Sequence, residues 1–153
     1  MSADGSTTEP VFDEASRMAV AAALDAQVPG AVELGAVAYV EQLLTALDHD
    51  PPRIWAAPEG SGAEWLELGA WERAAWAQRI DTMRVAYARV VAGEASEADR
   101  RMVHDHACEA TYGDPAYGGN RDRGGWQRIG FPDPMFPPAR AAWPAEATPG
   151  EAT

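Results

Sequence analysis

Two histidines, an aspartate, a cysteine and a glutamate fall within six residues, from His104 to Glu109. These are the side-chain types that ligate transition metals, and a thiol next to imidazoles is also the starting point for a nucleophile. Spacing limits what they can do. On a helix, residues three or four apart share a face and residues two apart do not. His104 can therefore meet Cys108, and His106 can meet Glu109, but the two histidines point to different faces. Neither pair closes a site by itself, and the chain's one other histidine is His49. A stand-alone metal-binding protein using His104, His106 and Glu109 is the lesser alternative. The preferred expectation is that His106 and Glu109, one turn ahead of a glycine-rich segment, support it by hydrogen-bonding its backbone. Cys108 then reads as a small buried residue.

Other chemistries lack their constellations. The serines are Ser2, Ser6, Ser16, Ser61 and Ser96. None follows a strand in the G-x-S-x-G turn that exposes a nucleophile. The glycines around Gly118-Gly119 and Gly124-Gly125 do not have the G-x-G-x-x-G spacing of a dinucleotide site. All 12 basic residues are arginine, so Schiff-base chemistry on a lysine is excluded. No catalytic, cofactor-binding or metal-ligating residue is assigned to this chain.

The elements that must carry these residues read as helices. Asp13 is a suitable N-cap for a helix from Glu14 to Gln27, with Ala15, Met18, Ala19, Ala22 and Ala23 as a small-residue face. Pro29-Gly30 ends it. A second helix is predicted over about Val32 to Leu47, with Val37, Val40, Leu44 and Leu47 on one side. Asp50-Pro51-Pro52 stops it. A third is predicted from Glu64 to Val91 on the stripe Trp76, Ile80, Met83, Tyr87 and Val90, ending before Gly93. Ser96-Glu97-Ala98-Asp99 resembles a capping box and starts a fourth, from Glu97 to Thr111. The expected fold is therefore all-α: a bundle of about four helices, then a Gly/aromatic-rich loop and an extended Pro-rich tail. Residues 1–11 are expected to be disordered, 12–132 to form the helical domain, and 133–153 to be an extended or disordered tail.

Beyond Thr111 the periodicity stops. Residues 111–132, TYGDPAYGGNRDRGGWQRIGFP, hold six glycines and Asn120, the chain's one asparagine. Asp114-Pro115 opens a turn, and Gly118-Gly119-Asn120 allows positive φ, which glycine and asparagine adopt most cheaply. Tyr112, Tyr117, Trp126, Ile129 and Phe131 are bulky anchors between these joints. Tyrosine, tryptophan and arginine dominate binding hot spots, so the segment reads as an interaction surface. The alternative is that its aromatics cap the bundle, and both can hold.

This stretch resembles the gluconate 2-dehydrogenase subunit 3 family. The shared features are Gly113-Asp114-Pro115, Tyr117-Gly118-Gly119-Asn120, Gly125-Trp126 and Ile129-Gly130-Phe131-Pro132, with His106 and Glu109 ahead of them. Two features depart from the family: Asp133 follows Pro132 where glycine is usual, and there is no twin-arginine leader. The resemblance implies a non-catalytic small subunit. Its large partner would be an FAD-dependent sugar or polyol dehydrogenase of the glucose-methanol-choline class, forming a heterodimer or higher heteromer. The FAD would sit on the partner. Tyr112, Asp114, Pro115, Tyr117, Gly118, Gly119, Asn120, Trp126, Ile129, Gly130, Phe131 and Pro132 would form the subunit interface. A transient maturation chaperone for the same enzyme is the alternative.

Composition sets the outer bounds. The 153 residues carry a net charge of -12, a field that repels phosphate backbones and argues against a nucleic-acid partner. No apolar run reaches the roughly 20 residues that span a bilayer, so direct membrane insertion is not expected. Arginine without lysine, abundant alanine and a single asparagine suggest a GC-rich bacterial genome. As written the chain is expected in the cytoplasm, or in the periplasm if a twin-arginine leader was removed.

Overall fold

The computed structural model of the chain describes residues 10–131. Pro132 and the expected tail lie outside those residues, as do residues 1–9. The described residues are all-α, with five α-helices: α1 Glu14–Gln27, α2 Ala36–Leu44, α3 Ala70–Ala92, α4 Glu97–Tyr112 and α5 Gly124–Ile129. Short 3-10 turns cover Ala46–Asp48, Pro115–Tyr117 and Arg121–Arg123. One isolated antiparallel bridge joins Ala56 and Trp65.

Helices α1 to α4 enclose one apolar core. It holds Val20 and Leu24 from α1, Val37, Val40 and Leu44 from α2, Ile80 and Tyr87 from α3, and Val103, Ala107 and Ala110 from α4. The side of α1 that is buried differs from the expected alanine face: Met18 is 68% exposed, whereas Val20 and Leu24 are fully buried. Alanine repeats around α1 carry little directional information. Burying a branched side chain stabilises by about 1.5–3 kcal/mol, so the single Val/Leu pair, one turn apart, orients the helix.

Helix ends follow local chemistry where caps are present. Asp13 Oδ1 accepts from Ser16 N at 2.7 Å. Ser96 Oγ accepts from Asp99 N at 3.1 Å, and Asp99 Oδ2 accepts from Ser96 N at 2.9 Å, completing the capping box of α4. Gly93 ends α3 in the left-handed conformation.

Three boundaries depart from the periodicity. The second helix begins at Ala36 because Gly30 and Gly35 both take positive φ and turn the chain between them. It gives way to a 3-10 turn at Ala46. The third begins at Ala70, since Trp65 is drawn into a small hairpin. There Leu66 N donates to Trp55 O at 2.8 Å and Ala57 N to Glu64 O at 2.9 Å, and the Trp65 ring packs edge-on against Tyr117, centroids 5.7 Å apart. The expected loop after Thr111 is not irregular throughout: it contains two 3-10 turns and α5.

Candidate functional site

The Gly/aromatic segment folds back over the C-terminal turns of α4. Its centre is Asn120, fully buried and left-handed at φ 45. Its backbone N–H donates to Ala110 O. Its side chain spans the turn: Nδ2 donates to Gly113 O at 2.8 Å, and Oδ1 accepts from Gly125 N at 2.9 Å. A side-chain amide is needed here because one group must donate and the other accept. Trp126 is buried and its Nε1 donates to Tyr112 O at 2.7 Å. These bonds satisfy backbone carbonyls at the end of α4 that have no partner within the helix.

Three glycines of the segment are required by proximity. A Cβ on Gly113 would lie 2.4 Å from Glu109 O, one on Gly119 2.3 Å from Ala110 O, and one on Gly125 only 1.7 Å from Thr111 O. All three obstacles are backbone, so none can swing aside. The segment also meets the α1–α2 connection: Arg121 N donates to Leu34 O at 3.0 Å, and Gly118 O lies 2.9 Å from where a Gly35 Cβ would stand. The preceding turn is pinned by Asp114 Oδ1, which accepts from Ala116 N at 2.9 Å. Tyr117 Oη accepts from Ala56 N at 3.1 Å.

The twelve residues expected at an interface thus divide. Gly119, Asn120 and Trp126 are buried, while Asp114, Pro115, Tyr117 and Gly118 are half-buried. Tyr112, Ile129, Gly130 and Phe131 are exposed. Ile129 at 58% and Phe131 at 50% form an apolar rim beside Trp126, whose ring centroid lies 5.7 Å from that of Phe131. Pro132 lies outside the described residues.

The side chains of His106 and Glu109 come together with partners on α3 and α2, while the loop's backbone meets the Glu109 carbonyl, which accepts from Gly113 N at 2.8 Å. His106 is buried, its ring stacked on Tyr87 at 5.8 Å and 17°, with Nδ1 2.8 Å from Tyr87 Oη. Tyr39 Oη donates a short hydrogen bond to the Glu109 carboxylate, and the Tyr39 ring stands edge-on to His106. The support these two side chains give is therefore to the packing of α2, α3 and α4. The reason is helical direction: residues 102, 106 and 109 share one face of α4, and that face looks toward α2 and α3. Burial pushes the His106 imidazole below its ordinary pKa. Burial, with Glu109 beside them, pushes the hydroxyls of Tyr39 and Tyr87 up.

The remaining members of His104–Glu109 lie apart from this cluster. His104 is exposed, its Nε2 3.7 Å from Cys108 Sγ and its Nδ1 3.6 Å from Asp105. Cys108 is half-buried, and burial with two nearby carboxylates raises its thiol pKa, the wrong direction for a nucleophile. Among the described residues no group of three or more His, Cys, Asp or Glu side chains is placed to hold a metal.

A groove of about 760 Å³ opens between α2, α3 and α4, walled by Leu43, Trp76, Met83 and Met102 with His106 and Glu109 at one end. Arg79 covers the Trp76 ring, its guanidinium carbon 5.1 Å from the centroid. Nothing in the linear order pairs Tyr39 with Glu109 or Met83 with Met102. The one local signal was Met102, His106 and Glu109 at helical spacing. No helix of the described residues is long and apolar enough to cross a membrane. No family model matches the chain, and neither a curated protein nor a solved structure matches it.

Proposed function

We propose that this chain is the non-catalytic small subunit of a flavin-dependent sugar or polyol dehydrogenase complex of the glucose-methanol-choline class. It would stabilise or mature the large subunit, which binds FAD and performs hydride transfer from a carbohydrate hydroxyl carbon. The observation that carries this reading is the segment from Gly113 to Phe131. Its backbone is braced from within by Asn120 and Trp126, and it holds Ile129 and Phe131 out to solvent. Rigid presentation of apolar side chains lowers the ordering cost of association. The resemblance of the same residues to the small-subunit family supplies the partner's chemistry. A permanent subunit interface would exceed the standard size of about 1,600 Å².

The test is to recover the tagged chain from its host and record the masses and visible spectrum of what accompanies it. A stoichiometric partner of oxidoreductase size with flavin absorbance is the expected result. A chain recovered alone and colourless counts against a permanent subunit and moves the reading to a transient maturation role. Ile129→Asp and Phe131→Asp should each lower complex yield at least tenfold while leaving the helical circular dichroism unchanged. Full assembly in both variants would remove this rim from the interface. Tyr117 and Trp126 are poor choices for the same experiment, since both pack into the fold.

A further inference from the structure

We infer that the groove between α2, α3 and α4 is a binding site for an uncharged, ring-bearing small molecule carrying a carbonyl or similar neutral oxygen. The inference begins with the Tyr87–His106 pair. Tyr87 is fully buried, and its hydroxyl has His106 Nδ1 at 2.8 Å as its hydrogen-bond partner among the described residues. A buried hydroxyl hydrogen needs an acceptor, so Nδ1 accepts and the imidazole proton resides on Nε2. Burial keeps the ring neutral. His106 is only 7% exposed, and its Nε2 has no partner among the described residues. The one sealed side-chain nitrogen or oxygen there without a partner is Trp65 Nε1. Nε2 is therefore not sealed, and its opening is the groove that His106 lines.

The site so formed has an N–H donor at one end of a trough whose apolar walls are bordered by Gln78, Arg79, Thr82, Arg89 and Asp99. Its walls are Leu43, Trp76, Met83 and Met102, and its volume of about 760 Å³ lies within the roughly 300–1,000 Å³ of small-molecule sites. Methionine thioethers make favourable contacts with aromatic rings, which selects a ring as the body of the ligand. The donor selects an oxygen acceptor. The charged side chains of the lining, Arg79, Arg89, Asp99 and Glu109, balance in sign, so the groove favours neither an anion nor a cation and that oxygen is neutral. This site does not depend on the subunit reading, and it lies away from the Ile129–Phe131 rim.

The test uses acetophenone and ethylbenzene, which share a ring and differ by the carbonyl oxygen. The full chain is titrated with each while the methyl signals of Met83 and Met102 are followed by NMR. Both compounds should shift both methyls, and acetophenone should bind about fivefold more tightly, the value of one ordinary hydrogen bond. His106→Phe, which keeps a ring against Tyr87 but has no N–H, should remove that margin. Since His106→Phe also takes away the acceptor of Tyr87, Met102→Glu provides a second check on a half-buried wall residue. It should weaken both compounds at least tenfold with unchanged circular dichroism. Unshifted methyls, acetophenone binding no tighter than ethylbenzene, or undiminished affinity in Met102→Glu would each overturn the inference.

Discussion

Asn120 is the residue on which the Gly/aromatic segment depends. Asn120→Ala leaves Gly113 O and Gly125 N without their side-chain partner and places a Cβ-bearing residue without a local hydrogen bond at φ 45. The expected loss is about 3 kcal/mol, measured as a shift in urea unfolding. The glycines separate two reasons for having no side chain. Gly125→Ala drives a methyl into Thr111 O and should cost at least about 3 kcal/mol. Gly60→Ala meets open space at φ +81 and should cost only about 1 kcal/mol. Equal thermal shifts for the two would show that the segment lifts off α4 without penalty.

At the scale of elements, the turn between α3 and α4 is held by a compact ionic device. Arg89 forks onto Asp99, with Nε to Oδ2 and Nη2 to Oδ1 both at 2.7 Å. The same carboxylate closes the capping box with Ser96. The Arg89 guanidinium holds the Asp99 carboxyl well below the usual carboxylate range. Ser96→Ala should lower stability by about 1 kcal/mol, read from thermal melts. Arg89→Lys should also destabilise, since an ammonium cannot reproduce the fork. The Ser-x-x-Asp start of α4 was readable because a cap is local chemistry. The arginine that completes it was not, because Arg89 lies off the apolar stripe of α3 and meets Asp99 only once α4 turns back from the end of α3. The delayed start of α3 has a similar cause. The 64–69 stretch permits helix by composition, but Trp65 gains more by packing on Tyr117.

For the molecule as a whole, His106 couples helix packing to pH. Its folded pKa is depressed by burial below the ordinary 6.5. Above that value the imidazole is neutral in both states and its contribution is complete. As pH falls through 6.5 the unfolded chain takes up a proton that the folded chain resists, so stability declines until the folded pKa is reached. Urea unfolding midpoints should therefore fall between about pH 7 and pH 5 in the wild type. They should fall less in His106→Gln, which offers Tyr87 an acceptor that does not titrate. Identical pH slopes in the two proteins would remove His106 from the acid response.

The all-α class, the span of α1, the span of α4 to within a residue, and its cap were all legible in the linear order. They rest on interactions within about four residues: periodic apolar side chains, prolines, glycines and capping hydroxyls. The importance of residues 111–132 was also visible, since six glycines and a lone asparagine are costly unless conformation or proximity demands them. Which of those residues turn inward was decided by the tertiary structure, because Gly119 and Gly125 are required by the α4 backbone they touch, and Asn120 by the two backbone groups it joins. The same holds for Tyr39, Tyr87, His106 and Glu109. Their bonds join α2, α3 and α4 across separations of 70 and 19 residues, and a hydrogen bond across such a separation has no local periodic signature.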